Sequence, residues 1–248
     1  MQVTFLTMRQ SNDSLNKITQ VIENETKNEE EAVSIENSFN KAYVNKALSL
    51  AEYLNAPGAQ KPNNTEAKTL AKGYIVEDLY ALDSSRNVLA TSSDNPLDFT
   101  ISKFDDCFIS EGAYVTYDNI RYYSVSYSGG YVVLAKSSSE LTTSLSYIRS
   151  LTYLLSSVEV GDGGYIFAVN KDTGKVLYYP ISSLVGNNVA DIGLSDSVLN
   201  DGYKGWVSLK NEDGTTFQYY CISKQSGNYL FYIAAVPRSA LTKMFLKL

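Results

Sequence analysis

Two stretches of this chain, offset by about a hundred residues, carry one pattern, and that duplication constrains the fold more than any other feature. Tyr122-Tyr123-Ser124-Val125-Ser126, then Ser128-Gly129-Gly130-Tyr131, parallels Tyr219-Tyr220-Cys221-Ile222-Ser223, then Ser226-Gly227-Asn228-Tyr229. Each run continues as an apolar strand and reaches a helix start, Ser139-Glu140-Leu141-Thr142 in one copy and Ser239-Ala240-Leu241-Thr242 in the other. Upstream, Gly112-Ala113-Tyr114-Val115-Thr116 sits like Gly205-Trp206-Val207-Ser208. Further upstream, Tyr80-Ala81-Leu82-Asp83 sits beside Phe167-Ala168-Val169-Asn170. A repeat of domain length means duplicated domains rather than a solenoid. Each copy reads as a five-stranded antiparallel sheet with helices to one side, an α+β arrangement.

The second copy opens with the clearest hairpin, GDGGYIFAVNKDTGKVLYYP, over Gly161–Pro180. Tyr165, Phe167 and Val169 alternate with Ile166, Ala168 and Asn170, the period of two of a pleated strand. Asp172-Thr173-Gly174 supplies the turn, and Pro180, which has no N–H to give a ladder, stops the returning strand. The first copy has its own hairpin over Asp78–Thr91, turning at Asp83-Ser84-Ser85.

Ahead of both copies, Asn12–Asn55 contains no Gly or Pro and places Leu15, Ile18, Ile22, Val33, Phe39, Tyr43, Ala47, Leu50 and Leu54 at helical steps. Its interval Glu23–Ala32 is almost wholly polar, as in a solvated or partner-dependent helix. Pro57-Gly58 ends the helix, and a short one with Asn64 as its cap is expected over Thr65–Lys72. Between the copies, Leu141, Leu145, Ile148, Leu151, Leu155 and Val158 predict one helix over Ser137–Val158.

A helix running into Gly-x-Gly-Gly and a hairpin, in a duplicated frame behind a long N-terminal helix, resembles the double Cache sensor domains of bacterial transmembrane receptors, whose units are PAS-like. The likeness covers nearly the whole chain. It implies a stalk helix over 1–55, a membrane-distal Cache unit over 56–137, a connecting helix over 138–158 and a membrane-proximal unit over 159–240. Residues 241–248, where apolar character rises, would begin the segment leading to a membrane helix, and Val3–Met8 would be the frayed end of another. The implied place is the extracytoplasmic face of a bacterial membrane, with the flanking transmembrane helices outside this sequence. The implied role is ligand sensing for a histidine kinase or chemoreceptor, with conformational relay across the membrane and no catalysis in this region. A parallel homodimer through Leu15, Ile18, Ile22 and Val33 is also expected. The alternative is a secreted structural or adhesion domain without a small ligand.

Composition narrows the chemistry. Histidine is absent, which removes Ser-His-Asp and Cys-His catalysis and imidazole metal sites, so no cofactor or metal is expected. Net charge is −6 with no basic run, which argues against a nucleic-acid partner. Cys107 and Cys221 have no metal-like spacing and read as isolated thiols. Gly161–Gly164 precedes a strand rather than a helix, so it is no phosphate loop. Asn211-Glu212-Asp213-Gly214 lacks the ligand alternation of a calcium loop and reads as a hairpin turn.

The resemblance places a ligand on one face of the distal sheet. Tyr80 would come from the first strand, Lys103 and Phe104 from the connecting segment, and Tyr114, Tyr117, Arg121 and Tyr123 from later strands. Arg121 offers a bidentate fork for a carboxylate. The family's amine-binding members carry an acid at the end of the last strand, where this chain has Lys136-Ser137. An anionic or neutral small molecule is therefore the expected ligand. The second copy, with Tyr165, Phe167, Tyr179, Trp206 and Tyr219, is expected to fill its own cavity.

Overall fold

A computed structural model describes residues 2–59, 61–210, 215–227 and 230–240, with side chains from residue 9 onward and not at 210. The turn expected at Asn211–Gly214 and the segment at 241–248 lie outside the described residues, as do the side chains of Val3–Met8. The chain divides into two units, Ala32–Leu145 and a second made of Met1–Glu31 with Ser146–Leu248.

Helix α1 is continuous over Gln2–Asn55, as a stretch without Gly or Pro allows. Ile18 and Val21 lie in the core of the second unit, with Leu15 and Ile22 packed against it. Ala47, Leu50 and Ala51 lie in the core of Ala32–Leu145. Three of the four side chains expected at a dimer seam are therefore spent on this chain's own core, and only Val33 is exposed. Full burial of such an aliphatic side chain is worth about 1.5–3 kcal/mol.

In Ala32–Leu145, helix α2 (Asn64–Tyr74) follows α1. Its cap is Asn63 rather than Asn64: the Asn63 side chain accepts from the Thr65 and Glu66 N–H groups, and Glu66 returns a bond to the Asn63 N–H. Asn64 instead accepts from the Thr91 N–H at 3.0 Å. Strands β1 (Asp78–Leu82), β2 (Val88–Thr91), β3 (Tyr114–Tyr117), β4 (Ile120–Tyr127) and β5 (Gly130–Ser137) form one antiparallel sheet in the order β2-β1-β5-β4-β3. Asp83 shapes the β1–β2 turn by accepting from the Ser85 and Asn87 N–H groups. Successive side chains point to opposite faces. Leu79, Val125, Val132 and Leu134 meet the helices, whereas Tyr80, Leu82, Tyr122 and Val133 meet the segment between β2 and β3.

Helix α3 (Ser139–Ile148) and helix α4 (Leu151–Leu155) replace the single connecting helix expected. The break falls at Ser150, which leaves the helical conformation to accept from the Tyr153 N–H and so begins a new helix.

The second unit repeats the sheet with β7 (Gly164–Asn170), β8 (Val176–Tyr178), β9 (Lys204–Lys210), β10 (Thr216–Ser226) and β11 (Leu230–Pro237), and adds the two-residue β6 (Glu159–Val160). Its order is β6-β7-β11-β10-β9, with β8 also on β7. The hairpins β4–β5 and β10–β11 occupy equivalent places, as the repeated Tyr-Tyr runs require. This is the α+β architecture the resemblance implied, a long helix and two antiparallel sheets. One face of the second sheet meets α1 and α4, and the other is covered by Val189, Ile192, Leu194 and Val198 from the irregular segment between β8 and β9.

Candidate functional site

The seven residues singled out in sequence fall on opposite faces of the sheet in Ala32–Leu145. The β3–β4 register pairs Tyr114 with Tyr123 and Thr116 with Arg121, so these four share one face. Val115 pairs with Tyr122 and Tyr117 with Ile120, so these share the other. One pocket cannot be lined by both Tyr80 and Arg121.

On the face covered by the segment between β2 and β3, the aromatic side chains interlock. Phe99 has ring centroids 4.8 Å from Tyr80, 4.7 Å from Phe104 and 6.0 Å from Tyr122. Tyr80, Phe99 and Phe104 are fully buried. The exposed Lys103 sits with its ammonium 3.6 Å from the Tyr117 ring centroid and 5.0 Å from that of Phe104, a cation–π clamp at the edge. Cys107 donates to the Tyr122 carbonyl, and burial pushes its thiol up to about 11. Burial likewise pushes the Tyr122 phenol up to about 12. This segment is packed as core around its 3-10 helix, Ser102–Phe108.

The opposite face carries a charged cluster. Arg121 is 7% exposed, and its two terminal nitrogens donate at 2.6 Å to Glu36 and at 2.6 Å to Asn40. The Tyr123 hydroxyl donates to the same Asn40 oxygen at 2.8 Å. Glu36, Asn40 and Tyr43 fall at helical spacing on one side of α1, and Tyr43 stacks on Tyr123 with ring centroids 5.8 Å apart. The guanidinium lies 5.1 Å from the Tyr114 ring centroid. The remaining guanidinium nitrogen, Nε, is buried without a hydrogen-bond partner. Burial raises the Tyr123 phenol, and the neighbouring Arg121 offsets part of the rise.

The fork expected to meet a ligand carboxylate thus meets the chain's own Glu36. Glu36 and Asn40 were missed in the sequence because a polar residue on a long polar helix gives no sign of facing inward. Their i, i+4, i+7 spacing with Tyr43, over a strand bearing Arg, was the available signal. At the end of the last strand, Lys136 pairs with Glu77 at 3.0 Å.

In the second unit, Tyr165, Phe167 and Tyr179 pack together as expected, with the Tyr165 and Tyr179 hydroxyls 2.5 Å apart. Tyr219 joins them at 5.7 Å from Tyr165. Trp206 does not. Its register partner is Tyr220, which puts it on the other face, and it is 45% exposed.

Among the described residues no group of His, Cys, Asp and Glu could hold a metal ion, and no helix is long and apolar enough to cross a membrane. Cys107 and Cys221 are both buried free thiols.

No protein-family model matches the chain, and no curated protein does. Solved structures similar to it include the periplasmic sensory domain of the Campylobacter jejuni chemoreceptor Tlp1, at 12% identity over 94% of this chain and 95% of that one, with a TM-score of 0.33. The ligand-binding domain of the Pseudomonas fluorescens chemoreceptor CtaA with L-alanine gives 14% identity, 91% and 96% coverage and a TM-score of 0.33. The sensor domain of the V. cholerae histidine kinase DctB gives 11%, 89%, 98% and 0.33. At such values the likeness transfers no function to this chain.

Proposed function

We propose that this chain is the extracytoplasmic ligand-sensing region of a bacterial membrane signal receptor of the histidine kinase or chemoreceptor type, with no catalysis of its own. The observation that carries this reading is the Arg121–Glu36–Asn40–Tyr123 cluster between α1 and the sheet of Ala32–Leu145, with Arg121 and Tyr123 buried and Glu36 and Asn40 half-buried. A buried ion pair gives little net stability over a well-packed apolar one, because desolvation offsets the Coulomb gain. It is better suited to exchange. A small anion that takes the place of Glu36 on the Arg121 fork would free this part of α1, the same helix that carries Ile18 and Val21 in the second unit. A ligand shifts such an equilibrium only through its preference for one arrangement.

Tyr114 and Tyr123 complete the proposed contact set on this face. Tyr80, Lys103, Phe104 and Tyr117 act from the other face, by holding the sheet and its covering segment. A membrane-anchored homodimer would have to use a side of α1 other than Leu15, Ile18 and Ile22. The filled aromatic face favours one second reading, a structural domain without a ligand.

Thermal-shift screening with small carboxylates, sugars and amines separates the two. A carboxylate should stabilise the chain, Arg121→Ala should weaken its binding about 30-fold, and Arg121→Lys should fall between. Glu36→Gln should tighten it. Binding that ignores both Arg121 substitutions would sink the reading.

A further inference from the structure

The second unit contains a cavity of about 410 Å³, lined by none of the residues singled out above as ligand contacts. That volume lies in the range of about 300–1,000 Å³ typical of small-molecule sites. Its apolar wall is Ile22 of α1 with Leu151 and Leu154 of α4. Its polar wall carries Glu25 and Glu29, one turn apart on α1, and Arg149.

The two carboxylates differ. Glu29 is balanced, with Arg149 donating to both its oxygens at 2.7 and 2.8 Å. Glu25 accepts from the Ser226 hydroxyl at 3.0 Å, and among the described residues it forms no ion pair. Beside Glu25 lies Tyr232, fully buried, whose hydroxyl makes no hydrogen bond of ordinary geometry. Burial, and after it the Glu25 carboxylate, push that phenol up. An unbalanced carboxylate facing an apolar wall suits a ligand with a cationic head and a hydrocarbon body. A bare inorganic cation would leave the apolar wall unused.

We propose that this cavity binds a small organic ammonium ion, with the charge on Glu25 and the hydrocarbon against Ile22, Leu151 and Leu154. The site is independent of the Arg121 reading, lies in the other unit, and takes the opposite charge.

Calorimetric titration of the chain with n-butylammonium tests this, with butyrate as the charge-reversed control. Butylammonium should bind and butyrate should not. Glu25→Gln, which keeps the shape and removes the charge, should weaken binding about tenfold or more. Leu151→Trp, which fills the cavity without touching a charge, should abolish it, circular dichroism showing both variants folded. N-acetyl-lysine amide separates a free amine from a lysine side chain of a peptide: tighter binding of butylammonium assigns the former. Failure of butylammonium to bind, equal binding of butyrate, or unchanged affinity in Glu25→Gln overturns the proposal.

Discussion

The two sheets share an order and a hairpin, yet their helix-facing sides differ. In Ala32–Leu145, Arg121 stands directly before the Tyr-Tyr pair of β4 and is buried on Glu36 and Asn40. In the second unit the matching place is Gln218, which is exposed and bonds to Ser208 across the strands. There the helix-facing set is apolar around Ile222, Tyr232 and Ala234. The polar ties to α1 lie at the far end of β10, where Lys224 reaches Thr19 at 3.1 Å and Ser226 reaches Glu25. Duplication preserves backbone geometry, because strand order and turn chemistry fix it, while side chains on one face are free to diverge. The faces where the copies differ are where a ligand is worth seeking.

The sharpest test of the comparison is at the hairpin turns. Gly130, in the first hairpin, has φ +141, and a Cβ there would lie 2.1 Å from the Leu82 carbonyl oxygen, whereas Gly227, which in the second hairpin matches Gly129, has φ +60 and nothing within 4 Å. Gly130→Ala should cost more than about 4 kcal/mol, and Gly227→Ala only about 1 kcal/mol, by urea denaturation. Equal costs would break the claim that the first hairpin is the more tightly seated.

Next in size is the buried charge. Arg121→Ala should destabilise by about 3 kcal/mol, since it strands Glu36 against the sheet, while Gln218→Ala should stay within about 0.5 kcal/mol. A double variant, Arg121→Met with Glu36→Leu, should recover most of the loss. If it does not, the cluster is structural rather than exchangeable.

The Cys107 thiol gives a pH signature. Its folded value of about 11 lies above the ordinary 9.0, so the folded state holds the proton more tightly. The resulting stability is complete below pH 9 and is lost as pH rises towards 11, an alkaline loss on the order of 2 kcal/mol. Cys107→Ala should make the stability profile shallower in that window. Cys221, raised further by burial alone, should lose stability from the same pH 9 onward and on to higher pH, so Cys107→Ala should remove only part of the slope in that window.

The smallest contrast is between helix caps. Asn63 holds a reciprocal capping box and Ser150 a single bond, so Asn63→Ala should cost about 1–2 kcal/mol and Ser150→Ala about 0.5–1 kcal/mol. A reversed ranking would show that tertiary packing, rather than the cap, fixes the break between α3 and α4.

The sequence alone was enough for the two sheets, the hairpins at Asp83 and Asp172, the long helix and the equivalence of the Tyr-Tyr strands. Those features rest on local rules: a period of two in strands, a period near 3.6 in helices, and the few residues a turn accepts. Tertiary structure decided which face each residue serves. Tyr80 and Arg121 both lie on strands of one sheet, but the register that sends them to opposite faces depends on pairing between distant segments. It decided as well that Glu36 and Asn40 meet Arg121, because a polar side chain on a polar helix acquires its partners only from what packs against it. The same long-range packing drew Leu15, Ile18 and Ile22 into or against the chain's own core, where their apolar surface leaves water.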